Sequence, residues 1–182
     1  DVVIVDDVMG GYQAAQYLIQ LGHRNLAFIG GPADVSSSKD RYRGFEKALR
    51  EYGLKCDERF VEYDDFRQDG GYRATQRLLA LTPRLTAIFA ANDLMAIGAM
   101  EAILDAGLRI PEDVSVVGFD DIAISSLHFM QLTTVSQPRY DIGAIAARLL
   151  LERISKKERE SPRRVVLPPR LKIRKTCAPC RD

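Results

Sequence analysis

Short runs of apolar residues alternate along this chain with longer segments in which apolar residues recur every three or four positions. The runs are typical of strands buried on both faces, and the longer period indicates amphipathic helices. The predicted strands lie at 2–5, 25–29, 60–63, 86–90 and 114–119. The first predicted helix reaches Leu21, the second runs from Arg41 to Tyr52, the third from Tyr72 to Leu81, and the fourth ends at Gly107. This alternation predicts an α/β fold with a right-handed, doubly wound parallel sheet and helices on both faces.

The alternation breaks after the fifth strand and its loop. An extended segment at 132–135 is followed by Gln137-Pro138, and the residue before a proline disfavours helix. The remaining predicted elements are a helix from Tyr140 to Ile154, a charged connection at 155–164, two short strands at 165–167 and 171–174, and a locally basic tail. The chain therefore carries elements beyond one regular α/β unit.

Two polar residues, Asn92 and Asp93, follow the fourth predicted strand directly and precede an apolar helix. In an open parallel sheet, ligands bind beyond the carboxyl ends of the strands, so both side chains lie where such a fold binds ligands. The alternative is that one of them only caps the helix, which asparagine and aspartate do well. This structural role suits Asp93 better than Asn92.

Other polar side chains follow other strands. Asp120 and Asp121 come directly after the fifth strand, and we expect Asp121 to cap a short helical turn at 122–126. Arg41 falls in the first turn of the predicted second helix, where a cation opposes the helix dipole, so we expect an anionic or hydroxyl-bearing partner for it. Phe66 lies in a polar loop, either as a plug beneath the loop or as a stacking surface for a ring-shaped ligand; spacing alone slightly favours the plug.

Composition, charge and the absence of certain motifs exclude several classes of function. The chain has 46% hydrophobic residues and 26 basic against 25 acidic side chains, a net charge of +1, so it lacks the basic footprint of a nucleic-acid-binding surface. No long apolar run or basic leader is present, so we expect neither a membrane span nor an export signal, and a cytoplasmic location. Gly30-Gly31-Pro32 lacks the G-x-G-x-x-G spacing of a dinucleotide site and the lysine of a phosphate loop, so no cofactor is expected.

The segment Cys177-Ala-Pro-Cys180 is a redox pair, half a zinc site or an incidental pair of thiols. Redox pairs normally open a helix after a strand, and a zinc site requires two further ligands, for which only His23 and His128 are present, both distant in sequence. We therefore expect a frayed tail with incidental thiols in a reducing cytoplasm, and no metal site.

The chain contains a series of motifs in a characteristic order. They are GHRNLAFIGGP at 22–32, RYRGF at 41–45, AANDLMAIG at 90–98, PEDVSVVGFDD at 111–121, LTTV at 132–135, QP at 137–138 and LPPRL at 167–171. In this order they closely resemble the effector-binding part of the lactose/galactose-repressor (LacI/GalR) family. The resemblance covers nearly the whole chain.

The resemblance implies two α/β lobes, joined by three crossing segments, that close on a small molecule as periplasmic sugar-binding proteins do. Residues 1–6 would be a remnant strand of the N-terminal lobe, and 7–135 the C-terminal effector-binding lobe. Residues 136–168 would be a crossover with a helix and a strand of the N-terminal lobe, and 169–182 a return strand and basic tail. Most of the N-terminal lobe and a DNA-binding headpiece would precede Asp1, so we expect the chain to expose apolar surface.

By the same resemblance, Arg41, Phe66, Asn92 and Asp120 form a ligand-binding site, and no residue is catalytic. A guanidinium and a carboxylate suit vicinal hydroxyls, an aromatic face covers the apolar side of a sugar or base, and Asn92 adds a polar contact. This favours stacking over the plug for Phe66. The implied effector is a small sugar or nucleoside-like molecule; Val35–Ser38 carry no charge where some family members have specificity residues, so its identity stays open.

The resemblance also implies a transcriptional regulator that reaches operator DNA only through the absent headpiece and that forms a homodimer. We expect the helix at 96–100 and the loop and helix at 66–72 to form part of the dimer surface. The alternative is a periplasmic-type solute-binding protein of a transport system, which shares the fold. An enzyme is disfavoured, because the adjacent Asp120 and Asp121 would point apart and no nucleophile–base pair accompanies them.

Overall fold

The computed structural model of the chain describes residues 1–82, 84–155 and 161–180. The strands within these ranges are β1 (Val2–Val5), β2 (Leu26–Gly30), β3 (Val61–Tyr63), β4 (Ala87–Ala90), β5 (Ser115–Asp120), β6 (Thr133–Ser136), β7 (Arg164–Leu167) and β8 (Arg170–Lys172). The helices are α1 (Asp7–Gln20), α2 (Ser36–Glu51), α3 (Gln68–Leu79), α4 (Asp93–Asp105) and α5 (Arg139–Ser155), with short 3-10 turns at Glu58–Phe60 and Ala123–Ser126. Some predicted features lie outside the described residues: Pro83, the middle of the charged connection at 156–160 and the end of the basic tail at 181–182.

Among the described residues, six strands form the main sheet, in the order β3-β2-β4-β5-β6-β8. All neighbours are parallel except β6 and β8, which are antiparallel. Because successive strand residues point to opposite faces, Phe28 and Phe89 enter the core under α1 and α2, whereas Ile29 and Ile88 enter the core under α3 and α4. The predicted doubly wound α/β fold is confirmed.

Two close helix contacts fix these layers. A β-carbon at Gly11 of α1 would lie 2.1 Å from the carbonyl oxygen of Arg41 in α2. On the other face, a β-carbon at Gly98 of α4 would lie 1.9 Å from the carbonyl oxygen of Gln68 in α3. Only glycine permits such approaches. The first contact brings Arg41 beside the start of α1.

A second sheet pairs β1 with β7 in parallel, and α5 packs on β1. Asp1 ties this unit together, because its Oδ2 lies 2.9 Å from Nη2 of Arg163 and its carboxylate also pairs with Arg153 of α5. Leu149 is the one buried residue of α5. The large apolar side chains that α5 exposes are Tyr140, Leu150, Leu151 and Ile154. The expected exposure of apolar surface is confirmed.

None of the helices in the described ranges combines the length and the apolar character that crossing a bilayer requires.

Two of these helices begin earlier than predicted. α2 starts at Ser36 rather than Arg41, and the hydroxyl of Ser38 donates to the carbonyl of Gly31 at 3.0 Å. Arg41 therefore lies in the second turn, so the predicted opposition to the helix dipole was wrong. α3 likewise starts at Gln68, because polar first turns carry no apolar periodicity.

The C-terminal segment is docked against the sheet. The hydroxyl of Thr176 donates to the carbonyl of Val116 at 2.7 Å, and the backbone N–H of Cys180 donates to the carbonyl of Leu21 at 2.8 Å. The cysteines of the described ranges are free thiols, and burial raises the pKa of Cys177 to about 12. The expectation of a frayed tail was wrong, because these hydrogen bonds link residues far apart in sequence.

Candidate functional site

Arg41 is buried at the carboxyl edge of the main sheet, where it contacts three elements. Its Nε donates to Oδ1 of Asp7 at 2.8 Å. Its Nη1 donates to the carbonyl of Ala91 and lies 3.7 Å from Oδ1 of Asp120. The guanidinium also lies over the ring of Phe119, 3.7 Å from the ring centroid. The expected anionic partner of Arg41 is therefore confirmed, and there are two.

Asp7 is a residue of this cluster that sequence reasoning missed. It is the first residue of α1, and the contact at Gly11 holds that helix start beside Arg41. Burial raises the pKa of Asp7, although the charge of Arg41 and its hydrogen bond lower it. The available signal was Asp6-Asp7 directly after β1, a pair of carboxylates at a strand end like the pair after β5.

Asp120 is half-buried at the end of β5 and has a positive φ of 108°. Its Oδ1 accepts a hydrogen bond from Nε2 of Gln137 at 2.5 Å. Burial raises the pKa of this carboxyl, against the lowering effects of Arg41 and Gln137. Gln137, which sequence reasoning also missed, lies between β6 and α5. The carboxylate thus contacts both the buried cation and the segment that leads to α5.

Asp121 does not cap the 3-10 turn Ala123–Ser126 that follows it, contrary to the prediction. Its Oδ1 lies 2.6 Å from Nη2 of Arg174. Burial raises the pKa of Asp121, but hydrogen bonds and charges from Arg174 and its surroundings outweigh burial and lower it. Asp93 holds the turn instead: Oδ2 accepts from the N–H of Ile122 at 2.9 Å and from the hydroxyl of Ser125 at 2.6 Å. Asp93 is therefore structural, as predicted, but it holds this turn and does not cap α4.

Asn92 caps α4, because its Oδ1 accepts from the backbone N–H of Met95 at 2.8 Å. The capping role that suited Asp93 better therefore belongs to Asn92. Its Nδ2 donates to the carbonyl of Phe66 at 2.8 Å. Phe66 has a positive φ of 62°, and its ring covers Gly31, where a β-carbon would lie 2.2 Å from the ring. The half-buried ring packs against both cores, as a plug does, and retains exposed surface.

The four predicted site residues form two contacting pairs at one edge of the sheet. Arg41 faces Asp120, and Asn92 holds the backbone of Phe66. Ala91 links the two pairs, because its carbonyl accepts a hydrogen bond from Arg41 and Asn92 is the next residue in the sequence. The edge therefore combines a guanidinium, a carboxylate, an amide and an aromatic ring. These groups suit hydrogen bonding and stacking with a small polar molecule.

Comparison with known proteins identifies the family. The sequence profile of the periplasmic binding protein-like domain matches residues 15–177. The HTH-type transcriptional repressor PurR of Escherichia fergusonii is 41% identical over 184 residues, which cover 100% of this chain and 54% of that repressor. The chain therefore spans about half the length of this relative.

Solved structures share the fold. The transcriptional regulator CelR in its cellobiose complex superposes with a TM-score of 0.89 and 40% identity, over 96% of this chain and 53% of that one. A LacI family transcriptional regulator from Enterococcus faecium with bound ribose superposes with a TM-score of 0.90 and 36% identity, over 100% of this chain and 67% of that one. The resemblance seen in the sequence is confirmed: the chain belongs to the periplasmic binding protein-like domain family, in the form found in LacI-family transcriptional regulators.

Proposed function

We propose that this chain is the effector-sensing part of a DNA-binding transcriptional regulator, and that it binds a small sugar or nucleoside-like molecule at Arg41, Phe66, Asn92 and Asp120. The observation that carries the proposal is the buried Arg41 beside Asp120 at the carboxyl edge of the sheet, in a chain of this family. Open parallel sheets bind their ligands at that edge.

The chemistry of the site suits a molecule with hydroxyl groups on a ring. The carboxylate of Asp120 accepts from hydroxyls, the guanidinium of Arg41 donates to them, and Phe66 offers an apolar face to the ring. CelR was solved with cellobiose and the Enterococcus faecium regulator with ribose. These relatives favour a sugar as the effector.

The two sheets correspond to two lobes in this proposal. Residues 7–135 and the return strand β8 form the C-terminal lobe, whereas β1, α5 and β7, within 1–6 and 136–168, belong to the N-terminal lobe. The chain crosses between them at 5–7, 135–137 and 167–169. Gln137 lies on the second crossing and holds Asp120, so a ligand at Asp120 also affects lobe closure. Regulation requires that the effector bind the two lobe arrangements with unequal affinity.

The intact regulator would act in the cytoplasm as a homodimer and would bind operator DNA through a headpiece outside this chain. Three of the five residues at 96–100 are buried in the chain's own core and are unavailable to a partner. Apolar side chains are exposed where the start of α4 meets the 3-10 turn that Asp93 holds, namely Leu94 of α4 and Ile124 and Leu127 at that turn. We assign this surface to a second copy, because exposed apolar patches mark association surfaces.

A periplasmic-type solute-binding protein is the alternative, and the similarity to transcriptional regulators favours the regulator. The relatives are repressors rather than enzymes. The coding sequence upstream of Asp1 separates the two functions: a helix-turn-helix headpiece supports the regulator, and an export signal supports the transport protein.

Replacing Asp120 with Asn in the intact regulator tests the site. Calorimetric titration with sugars, sugar phosphates and nucleosides is expected to show binding by the unmodified protein and a loss of about tenfold or more for Asp120→Asn, because a hydrogen bond to a charged acceptor is lost. Operator binding without effector should persist. Asp113→Asn is the matched control, since Asp113 precedes β5 and pairs with Arg109 on the surface. Unchanged affinity for Asp120→Asn would refute the site assignment.

A further inference from the structure

We infer that Asp93 is the positioning residue of the candidate ligand site: it fixes the turn formed by Asp120 and Asp121 and joins it to the exposed 3-10 turn Ala123–Ser126. The ligand-binding consequence rests on the proposed function, whereas the positioning itself rests on the contacts of Asp93. Asp93 lies beneath the site and is not proposed to touch the effector.

The carboxylate of Asp93 is inaccessible to solvent, and both of its oxygens accept hydrogen bonds inside the protein. Oδ2 accepts from the backbone N–H of Ile122 at 2.9 Å and from the hydroxyl of Ser125 at 2.6 Å. Oδ1 accepts from the hydroxyl of Thr134 on β6. A β-carbon at Gly118 would lie 2.3 Å from Oδ1, so the carboxylate passes directly against the backbone of β5. One side chain thus connects α4, β5, β6 and the turn.

The turn needs such an anchor. Asp120 has a positive φ angle of 108°, outside the left-handed region that aspartate adopts readily, so its surroundings must hold it there, whereas the φ of 54° at Asp121 lies within that region. Ile122 is the first residue after them, and its N–H is held by Asp93 in the interior. The direction in which the chain leaves Asp120, and hence the position of its carboxylate beside Arg41, depends on this hydrogen bond.

The same carboxylate oxygen also holds the surface segment. Ser125 is buried, whereas its neighbours Ile124 and Leu127 are exposed apolar residues. Oδ2 of Asp93 accepts from both Ile122 and Ser125. A displacement of the turn at Asp120 and Asp121 therefore also displaces this apolar surface. Effector binding at Asp120 is therefore connected to the surface that we assign to a second copy.

Three variants of the intact regulator test the inference, with amide hydrogen exchange and calorimetry as readouts. Asp93→Ala removes the acceptors; we expect the Ile122 amide to exchange about tenfold faster without effector, and the dissociation constants for cellobiose and ribose to rise about tenfold. Asp93→Asn is the conservative rescue, because its oxygen can face Ile122 while its amide donates to the oxygen of Thr134. It should stay close to the unmodified protein in both readouts.

Ser115→Ala is the matched control, since Ser115 is equally buried at the other end of β5 and accepts from the N–H of Ala178 at 3.1 Å. It should lower the thermal midpoint and leave the Ile122 exchange and the sugar affinities unchanged. Equal weakening by Ser115→Ala, or unchanged Ile122 exchange in Asp93→Ala, would overturn the inference. Faster exchange with unchanged affinity for a sugar that the unmodified protein binds would overturn it as well.

If Asp93→Ala does not fold, Thr134→Val replaces it, because this change deletes only the donor to Oδ1. It is expected to raise the Ile122 exchange and the dissociation constant several-fold, and no change in either would overturn the inference. If the unmodified regulator binds none of the sugars, sugar phosphates and nucleosides of the calorimetric titration while Ile122 exchange responds as expected, the positioning of the turn is supported and the effector-sensing proposal fails.

Discussion

Arg41 is both a component of the core and a proposed ligand contact. Its side chain is only 8% exposed, and the carboxylates of Asp7 and Asp120 balance its charge. A buried ion pair contributes little net stability, but removal of one partner leaves an uncompensated charge inside the protein. Changes at Arg41 therefore affect folding and binding together, which is why Asp120, whose side chain is 28% exposed, is the better residue for the binding test.

Replacement of Arg41 with Met should lower the free energy of unfolding by about 3 kcal/mol, because Asp7 and Asp120 lose their common cation. Urea unfolding followed by circular dichroism measures the change. Arg43→Met is the control, since the Arg43 side chain is 68% exposed and pairs with Asp40 on the surface; about 0.5 kcal/mol or less is expected there. Equal losses for both variants would contradict the role assigned to Arg41.

The sequence was sufficient to place polar side chains at the strand ends, but it was not sufficient to assign their partners. Asparagine and aspartate both cap helices, so Asn92 and Asp93 look alike in a linear pattern. Asp93 reaches Ile122, 29 residues away, and Asp121 reaches Arg174, 53 residues away. Such pairings depend on the packed sheet and not on local spacing.

At the scale of elements, glycine contacts hold the helix pairs on each face of the sheet. Gly98→Ala should lower the free energy of unfolding by about 2 kcal/mol, because the new methyl group would overlap the carbonyl of Gln68 and force α3 and α4 apart. Gly143→Ala in α5 is the control: a β-carbon there meets no atom within 4 Å, so we expect a gain of about 0.5–1 kcal/mol from helix propensity. Urea unfolding that shows similar changes in both variants would contradict this packing.

Burial of His23 should make the free energy of unfolding dependent on pH. Its Nε2 lies 3.1 Å from the carbonyl oxygen of Ala178 and its Nδ1 lies 3.0 Å from the hydroxyl of Thr86. Burial lowers the pKa of His23 below its ordinary value of 6.5 and outweighs the hydrogen bond to Ala178, which raises it; the nearby charge of Arg24 lowers it further. The unfolded chain therefore binds the proton first as the pH falls, so this contribution to stability is present above pH 6.5 and is lost below it.

Urea unfolding at several pH values below and above the ordinary histidine pKa measures this dependence. The unmodified chain should lose more stability on acidification than His23→Gln, in which the titrating group is absent. His128→Gln, which removes the exposed second histidine, should follow the unmodified chain. If the free energies of unfolding of the unmodified chain and of His23→Gln change with pH in parallel, His23 is not the source of the pH dependence.

The order of the elements could be read from the sequence, whereas their ends could not. Apolar periodicity identified the strands and helices because the main sheet is covered on both faces. It missed the first turns of α2 and α3, where Ser36 and Gln68 are polar. It also missed the docking of Thr176 and Cys180, because main-chain and hydroxyl hydrogen bonds leave no hydrophobic pattern.

At the scale of the whole molecule, the two sheets differ in how complete they are. The main sheet has helices and a buried core on both faces. Within the described residues, the β1–β7 sheet has two strands with one helix packed on it, and an isolated pair of strands is marginally stable in water. This asymmetry supports the proposal that β1, β7 and α5 are part of a second lobe that is largely outside the chain.

The exposed side of α5 provides a direct test of that proposal. Leu150, Leu151 and Ile154 are 61%, 64% and 72% exposed. Replacing all three with Gln in the 182-residue chain should change the free energy of unfolding by about 0.5 kcal/mol or less and should reduce the binding of an apolar fluorescent dye.

In the intact regulator, the same triple replacement should cost several kcal/mol, at roughly 1.5–3 kcal/mol for each apolar side chain that the second lobe fully buries. Leu149→Gln is the control, because Leu149 is already buried in the chain and its replacement should destabilise both proteins. Urea unfolding of the two proteins side by side gives the comparison. An intact regulator that tolerates the triple replacement as well as the chain does would show that the second lobe does not cover α5.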